Sequence, residues 1–122
     1  MVAVTEEVLQ QMVRAIVREV NPERIYLFGS RARGEAGRHS DVDLLVVQRE
    51  PFGPQRSRLE EAGRVYHALR GTPIPVDILL FSEAEIAEWR ESLNHVVGRC
   101  LREGRLLYER PQVRTGPAGT GA

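Results

Sequence analysis

Apolar residues recur along this chain with two spacings, which predict an alternation of helices and strands. In residues 5–20 they return every three or four positions, as in an amphipathic helix that Thr5 can cap. Short apolar runs rich in β-branched and aromatic residues are typical of strands. The predicted helices cover residues 5–20, 55–70, 82–89 and 93–103, and the predicted strands cover residues 24–28, 41–47, 76–80 and 105–108.

The ends of these elements carry recognisable signals. Ser82 and Glu85 form the pattern of a capping box, and Gly71 is placed to end the second helix. Beyond its aspartates, the strand at 41–47 is apolar on both faces, which indicates a central position in a sheet. The segment 111–122 is rich in Gly, Pro and Thr. We therefore expect one domain over residues 1–110 and a disordered C-terminal tail over residues 111–122.

Composition narrows the class of protein. The chain has 122 residues, 42% of them hydrophobic, which suits one domain with one core. Seventeen basic and seventeen acidic residues cancel, so strong nucleic-acid binding is not expected. All the basic residues are arginine, which excludes a mechanism that needs lysine. A single cysteine, no leader pattern and no apolar run of about 20 residues favour a cytoplasmic protein without a membrane segment.

The aspartates point to a metal site. The sequence contains three, Asp41, Asp43 and Asp77, and all three fall on predicted strands, where aspartate is disfavoured. Asp41 and Asp43 project from the same face because side chains alternate along a strand. A third carboxylate on a neighbouring strand can complete a cluster. Such a cluster is expected to bind one or two Mg²⁺ ions, which prefer oxygen ligands and suit phosphoryl transfer.

A phosphate-binding turn precedes the aspartates. Gly29 allows a tight turn, and Ser30 can cap a turn whose backbone N–H groups face an anion. Arg31 and Arg33 follow and can neutralise a triphosphate. The rival interpretation is an ordinary strand-ending turn with solvated arginines.

Together these segments resemble a known family. Gly29-Ser30, ten intervening residues, Asp41-Val42-Asp43 and the later Asp77 closely resemble the signature of the DNA polymerase β-like nucleotidyltransferase superfamily. The short chain, with one helix before the Gly-Ser strand, is similar to the minimal nucleotidyltransferase (MNT) branch. The resemblance covers about residues 8–108.

The resemblance implies a fold and a set of roles. The fold is an α/β (α+β) domain with a small mixed β-sheet flanked by helices, like the polymerase β palm. Asp41 and Asp43 are expected to bind the nucleotide-bound Mg²⁺ and, with Asp77, the catalytic one. Gly29 and Ser30 are expected to hold the β- and γ-phosphates of ATP or another NTP, and Asp77 to assist deprotonation of the attacking hydroxyl.

The resemblance also suggests an acceptor. Minimal members are often paired with a helical HEPN-domain toxin and can attach AMP to its tyrosine, so we expect a HEPN partner and a hetero-oligomer. Two alternatives stay open. One is nucleotidyl transfer to a small-molecule hydroxyl, and the other is a non-catalytic antitoxin that acts by binding alone. The acceptor and the preferred base are not defined by the sequence.

Overall fold

A four-stranded mixed β-sheet with helices on both faces forms the frame of the molecule. The computed structural model describes residues 4–29, 42–72 and 74–111. The elements in chain order are α1 (Glu6–Val20), β1 (Arg24–Phe28), β2 (Val42–Gln48), α2 (Arg58–Ala68), β3 (Val76–Ser82), α3 (Glu83–Trp89), α4 (Val96–Glu103) and β4 (Arg105–Glu109). The predicted α+β class is confirmed.

The strands are arranged in the order β3-β2-β1-β4. β2 runs antiparallel to β1 and parallel to β3, and β4 runs antiparallel to β1. The β1–β4 register shifts between Ile25 and Tyr26. β2 is therefore an inner strand, as its apolar composition on both faces predicts, and four of its residues in a row, residues 44–47, are fully buried.

Alternation along the strands divides the core into two layers. Leu44 and Val46 of β2 pack in the layer that contains α1 and α2, with Ile16 and Val65. Leu45 and Val47 face the other side, where Ile86 of α3 and Val97 and Cys100 of α4 cover them. Burial of apolar surface stabilises by about 25 cal/mol per Å², so β2 gains stability from both of its faces.

Several helix ends follow their sequence signals. The Thr5 hydroxyl accepts a hydrogen bond from the Val8 N–H at 3.1 Å, so α1 begins as predicted. Asn21 ends that helix in the left-handed region, with φ 47°. The capping box of α3 is also confirmed, because the Ser82 hydroxyl accepts from the Glu85 N–H and the Glu85 carboxylate accepts from the Ser82 N–H.

The second helix is shorter than predicted. It begins at Arg58, not at residue 55, because Ser57 caps it and Gly53 and Arg56 form a local antiparallel bridge just before it. Its C-cap is Leu69, not Gly71. The local hydrogen bonds before Arg58 therefore set the start of α2, which the apolar spacing, beginning at Leu59, does not define.

The fourth helix also begins later than predicted, at Val96 rather than at residue 93. His95 is its N-cap, and the Nδ1 of that ring accepts a hydrogen bond from the Val97 N–H at 3.1 Å. A side-chain Cβ at Gly98 would collide with the Ser92 carbonyl oxygen, so α4 packs directly on the preceding loop.

The end of the sheet where β1 begins is closed by a group of ion pairs around the buried Glu23. Arg49 and Arg110 pair with its carboxylate at 2.8 and 3.1 Å. The Arg110 N–H also donates to the Glu23 carbonyl oxygen at 2.8 Å, which joins the last described residues to the start of β1.

The predicted C-terminal tail lies outside the described residues from residue 112 onward. Within residues 4–29, 42–72 and 74–111, no helix has the length and apolar content needed to cross a bilayer.

Candidate active site

Two of the three predicted metal ligands lie side by side. Asp43 of β2 and Asp77 of β3 are register partners in a parallel pairing that runs from Val42 to Gln48. Partners in one register project from the same sheet face, and neighbouring strands are about 4.8 Å apart. Asp43 is partly buried and Asp77 is exposed on the edge strand. The pairing therefore presents two carboxylates together at one end of the sheet.

The turn after β1 packs against the first of these carboxylates. Phe28 is the register partner of Asp43, and Gly29 follows with φ 78°. A Cβ at Gly29 would lie 2.6 Å from Asp43 Oδ2, closer than side-chain atoms approach one another. Both the backbone conformation and this close approach require glycine, which agrees with the tight turn that the sequence predicts.

The structure thus brings together three predicted site residues, Gly29, Asp43 and Asp77. The other four lie outside the described residues: Ser30, Arg31, Arg33 and Asp41. Among the residues that are described, no group of three or more His, Cys, Asp or Glu side chains could hold a metal ion. The described part of the site supplies two carboxylates, and the third predicted ligand is Asp41, two positions before Asp43.

The chemistry of these donors suits Mg²⁺. The ion takes hard oxygen ligands and commonly binds through one or two carboxylates while keeping waters and substrate phosphates. Asp43 and Asp77 supply such oxygens from two rigid strands rather than from loops, which favours a fixed geometry. Their shared register also places like charges side by side, an arrangement that a cation relieves.

A pocket of about 240 Å³ adjoins the same turn. Its walls are Phe28 and Gly29 from the end of β1, and Val96, Arg99, Cys100 and Glu103 from α4. Burial raises the pKa of the Cys100 thiol to about 12, so the sulfur is a neutral apolar wall atom and not a nucleophile. Arg99 and Glu103 are exposed on the next turn of the helix and approach each other to 4.0 Å.

Sequence reasoning did not identify this pocket. The signal was present in the spacing of residues 96, 99, 100 and 103, which places them on one face of α4. What the spacing does not reveal is that this face meets the end of β1, because the packing of α4 on the sheet depends on contacts distant in sequence.

Ion pairs at the opposite end of the sheet fix α3. Arg24 of β1 forms two hydrogen bonds to Glu83, at 2.7 and 3.1 Å. Arg58 of α2 pairs with Glu85, and the hydrogen bond from Arg58 holds the pKa of that carboxyl below its ordinary value. These contacts join three elements at the end of β3, away from the aspartates at its start.

Comparison with known proteins agrees with this geometry. The chain matches the nucleotidyltransferase domain family over residues 9–105. The Haemophilus influenzae protein named "Probable protein adenylyltransferase MntA" is 38% identical over 53 residues, which is 42% of this chain and 46% of that protein. The matched segment thus spans less than half of that relative.

A crystal structure of a toxin-antitoxin with AMP-PNP has the same fold, with a TM-score of 0.52 and 24% identity over 89% of this chain and 77% of its own. Because the family match covers most of its length, this chain belongs to the nucleotidyltransferase domain family.

Proposed function

We propose that this protein transfers a nucleoside monophosphate, in the first instance AMP from ATP, to a hydroxyl group in a Mg²⁺-dependent reaction. The observation that carries the proposal is the register pairing of Asp43 with Asp77 beside the Gly29 turn. Two carboxylates and a glycine turn at one end of the sheet support a site for a metal-bound triphosphate.

The proposed roles follow the geometry and the family. Asp43, together with Asp41, holds the divalent ion on the nucleotide, and Asp77 completes the site for a second ion. Bound Mg²⁺ supplies positive charge to the phosphate oxygens during displacement. Gly29 and Ser30 bind the β- and γ-phosphates through the turn.

Arg31 and Arg33 add charge for the triphosphate. In the displacement, the acceptor oxygen bonds to the α-phosphorus, and the bond from that phosphorus to the bridging oxygen breaks. Pyrophosphate leaves, and the hydroxyl proton passes to Asp77. Asp77 suits this last role because it is exposed on an edge strand, where an acceptor has access.

We further propose that the acceptor is a tyrosine of a partner HEPN-domain toxin, which makes this chain an antitoxin. The resemblance to the minimal nucleotidyltransferase branch supports this assignment, and the name of the Haemophilus relative supports a protein acceptor. A tyrosine on a protein surface can reach an exposed edge carboxylate without a closed substrate pocket. The two chains are expected to form a hetero-oligomer.

The test is transfer of label from α-labelled ATP. The protein is incubated with Mg²⁺ and the product of the neighbouring gene, which we expect to be a HEPN-domain protein. Labelled products are then separated into protein and small molecules. Asp43→Asn and Asp77→Asn should each lose transfer by about 100-fold or more, since even outer-shell changes at metal sites cost 10–100-fold. Glu88→Gln is the matched control for Asp77→Asn, because it also removes one exposed carboxylate but lies on α3.

The destination of the label decides between the alternatives. Label on a tyrosine of the HEPN protein supports the antitoxin enzyme. Label on a small-molecule hydroxyl would replace that acceptor with a sugar or related substrate. Neutralisation of the toxin without any label, unchanged in Asp43→Asn, would contradict catalysis and establish a binding-only antitoxin.

A further inference from the structure

The pocket between α4 and the end of β1 shares a wall with the proposed phosphate turn. Gly29 lines the pocket on one side and contacts Asp43 on the other. A ligand whose phosphates occupy the turn therefore has this pocket within reach of its remaining atoms. Nothing in the proposed phosphate and metal chemistry uses the residues of α4.

The pocket is too small to enclose a whole nucleotide. Its volume of about 240 Å³ is smaller than the roughly 300–1,000 Å³ of sites that enclose a drug-sized ligand. It suits one flat ring system. A nucleoside triphosphate that leaves its phosphates at the turn has one such part to bury, its base.

The chemistry of the walls agrees with a base and disagrees with phosphate. Phe28, Val96 and the neutral thiol of Cys100 form apolar walls, against which an aromatic ring gains stacking and dispersion energy. Arg99 and Glu103 add hydrogen-bond groups of both signs. A carboxylate at this position repels a triphosphate, whereas the edge of a base offers N–H donors to it.

The position of the pocket relative to Asp77 is also consistent with binding of the base. Asp77 lies on β3 and Phe28 on β1, so two strand spacings, roughly 9–10 Å, separate them. An in-line displacement places the acceptor and the leaving pyrophosphate on opposite sides of the α-phosphorus. With the acceptor at Asp77, the pocket on the β1 side belongs to the nucleotide and not to the acceptor.

We infer that the pocket formed by Phe28, Gly29, Val96, Arg99, Cys100 and Glu103 binds the base of the nucleoside triphosphate substrate. This inference depends on the proposed function, because it assumes that the phosphates bind at the Gly29 turn. It makes α4 the element that distinguishes a nucleotide from a bare polyphosphate.

The test compares two ligands that share the phosphates and differ in the base. Dissociation constants of Mg²⁺–ATP and Mg²⁺–tripolyphosphate are measured by calorimetry for the full chain and for Val96→Phe, which fills the pocket. Val96→Phe should weaken ATP binding about tenfold, equivalent to about 1.4 kcal/mol. Tripolyphosphate binding should stay within about twofold of the original.

Leu93→Phe is the matched control. It introduces the same side chain three residues earlier, at a site that is 74% exposed and does not line the pocket. Its two dissociation constants should equal those of the unaltered protein. Equal weakening of both ligands by Val96→Phe, or no weakening of either, would overturn the base pocket. Failure of the unaltered protein to bind either ligand would instead overturn the proposed function.

Discussion

Asp43 and Asp77 are register partners on parallel strands, so the protein holds two like charges on adjacent backbone segments of one sheet face. Like charges directly across a strand pair destabilise a sheet by a few tenths of a kcal/mol up to about 1 kcal/mol. A cation bound between the two carboxylates would offset this repulsion. Function and stability are therefore expected to oppose each other at this site.

The first prediction concerns that opposition. With EDTA present, Asp77→Asn should raise the free energy of unfolding by about 0.2–1 kcal/mol, because it removes one of the two like charges. Mg²⁺ should stabilise the unaltered protein more than this variant, since binding to the native state adds stability. Urea unfolding with EDTA and with Mg²⁺ measures both effects. Glu88→Gln, as control, should respond to Mg²⁺ as the unaltered protein does.

The second prediction concerns the turn at Gly29. Gly29→Ala places a Cβ against Asp43 Oδ2 in a left-handed backbone conformation, so the turn must shift. We expect a loss of about 1–3 kcal/mol in stability and a marked loss of Mg²⁺–tripolyphosphate binding. Gly71→Ala is the control, because a Cβ there meets no atom within 4 Å. Unchanged tripolyphosphate binding in Gly29→Ala would show that the turn does not hold phosphate.

The third prediction is that alanine has opposite effects on stability at two helical glycines, Gly63 and Gly98. Alanine normally stabilises a helix relative to glycine by about 0.5–1 kcal/mol, and Gly63→Ala in α2 should show this gain because its Cβ would enter open space. Gly98→Ala should instead destabilise the protein by about 1–3 kcal/mol, because its Cβ collides with the Ser92 carbonyl. Thermal unfolding of both variants checks the opposite signs. A gain at both positions would disprove the close packing of α4.

The fourth prediction separates two contributions of His95 to stability, its helix cap and its ring stacking. Its ring caps α4 and stacks on Trp89, with centroids 4.3 Å apart and planes 12° apart. His95→Ala loses the cap, worth about 1 kcal/mol, and the stack, worth about 0.5–1.5 kcal/mol. His95→Asn can still accept the Val97 N–H and should lose the smaller amount. Equal losses of unfolding free energy in the two variants would mean that the cap contributes nothing.

The fifth prediction concerns pH. The hydrogen bond from Arg58 lowers the pKa of Glu85 in the folded protein below its ordinary value of 4.5. The unfolded chain therefore binds the proton first as pH falls, and the stabilisation, complete well above 4.5, is lost as pH passes down through the folded pKa. Glu85→Gln keeps an acceptor for the Ser82 N–H but removes the charge.

The stability difference between the unaltered protein and Glu85→Gln should accordingly shrink below pH 4.5. Its size at neutral pH should be under about 1 kcal/mol, because the pair is partly exposed. Urea unfolding across this pH range is the measurement. A difference that is constant with pH would indicate that packing, not charge, distinguishes the two proteins.

Local signals in the sequence specify most of the elements. Residues 24–28 form the predicted strand, and the Ser82–Glu85 capping box begins α3 where the pattern indicates. The errors fall where local hydrogen bonds set the start of a helix. Residues 55–57 are polar and lie within the predicted helix, but the Gly53–Arg56 bridge and the Ser57 cap keep them out of α2. In the same way, the N-cap at His95 makes α4 begin at Val96, later than the sequence pattern predicts.

The residue types of the candidate site could be predicted from the sequence, but the register of the β2–β3 strand pairing could not. Strand alternation shows that Asp43 shares a face with Leu45, but it does not reveal that Asp77 is the direct neighbour of Asp43. That relation depends on the parallel β2–β3 crossover, which is set by packing of α2 across the sheet. The α4 pocket was missed for the same reason, since it forms between segments about 70 residues apart.

The ion pairs around Glu23 have a practical consequence. Arg110 is held at the start of β1, whereas Gly29 follows the end of that strand, so the five residues of β1, about 16 Å, lie between them. An attachment to a sensor chip or bead made close to Arg110 would therefore fix the molecule at the end of β1 remote from Gly29. The end of the sheet that carries Gly29, Asp43 and Asp77, where the proposed ligand and partner would bind, would then face bulk solution.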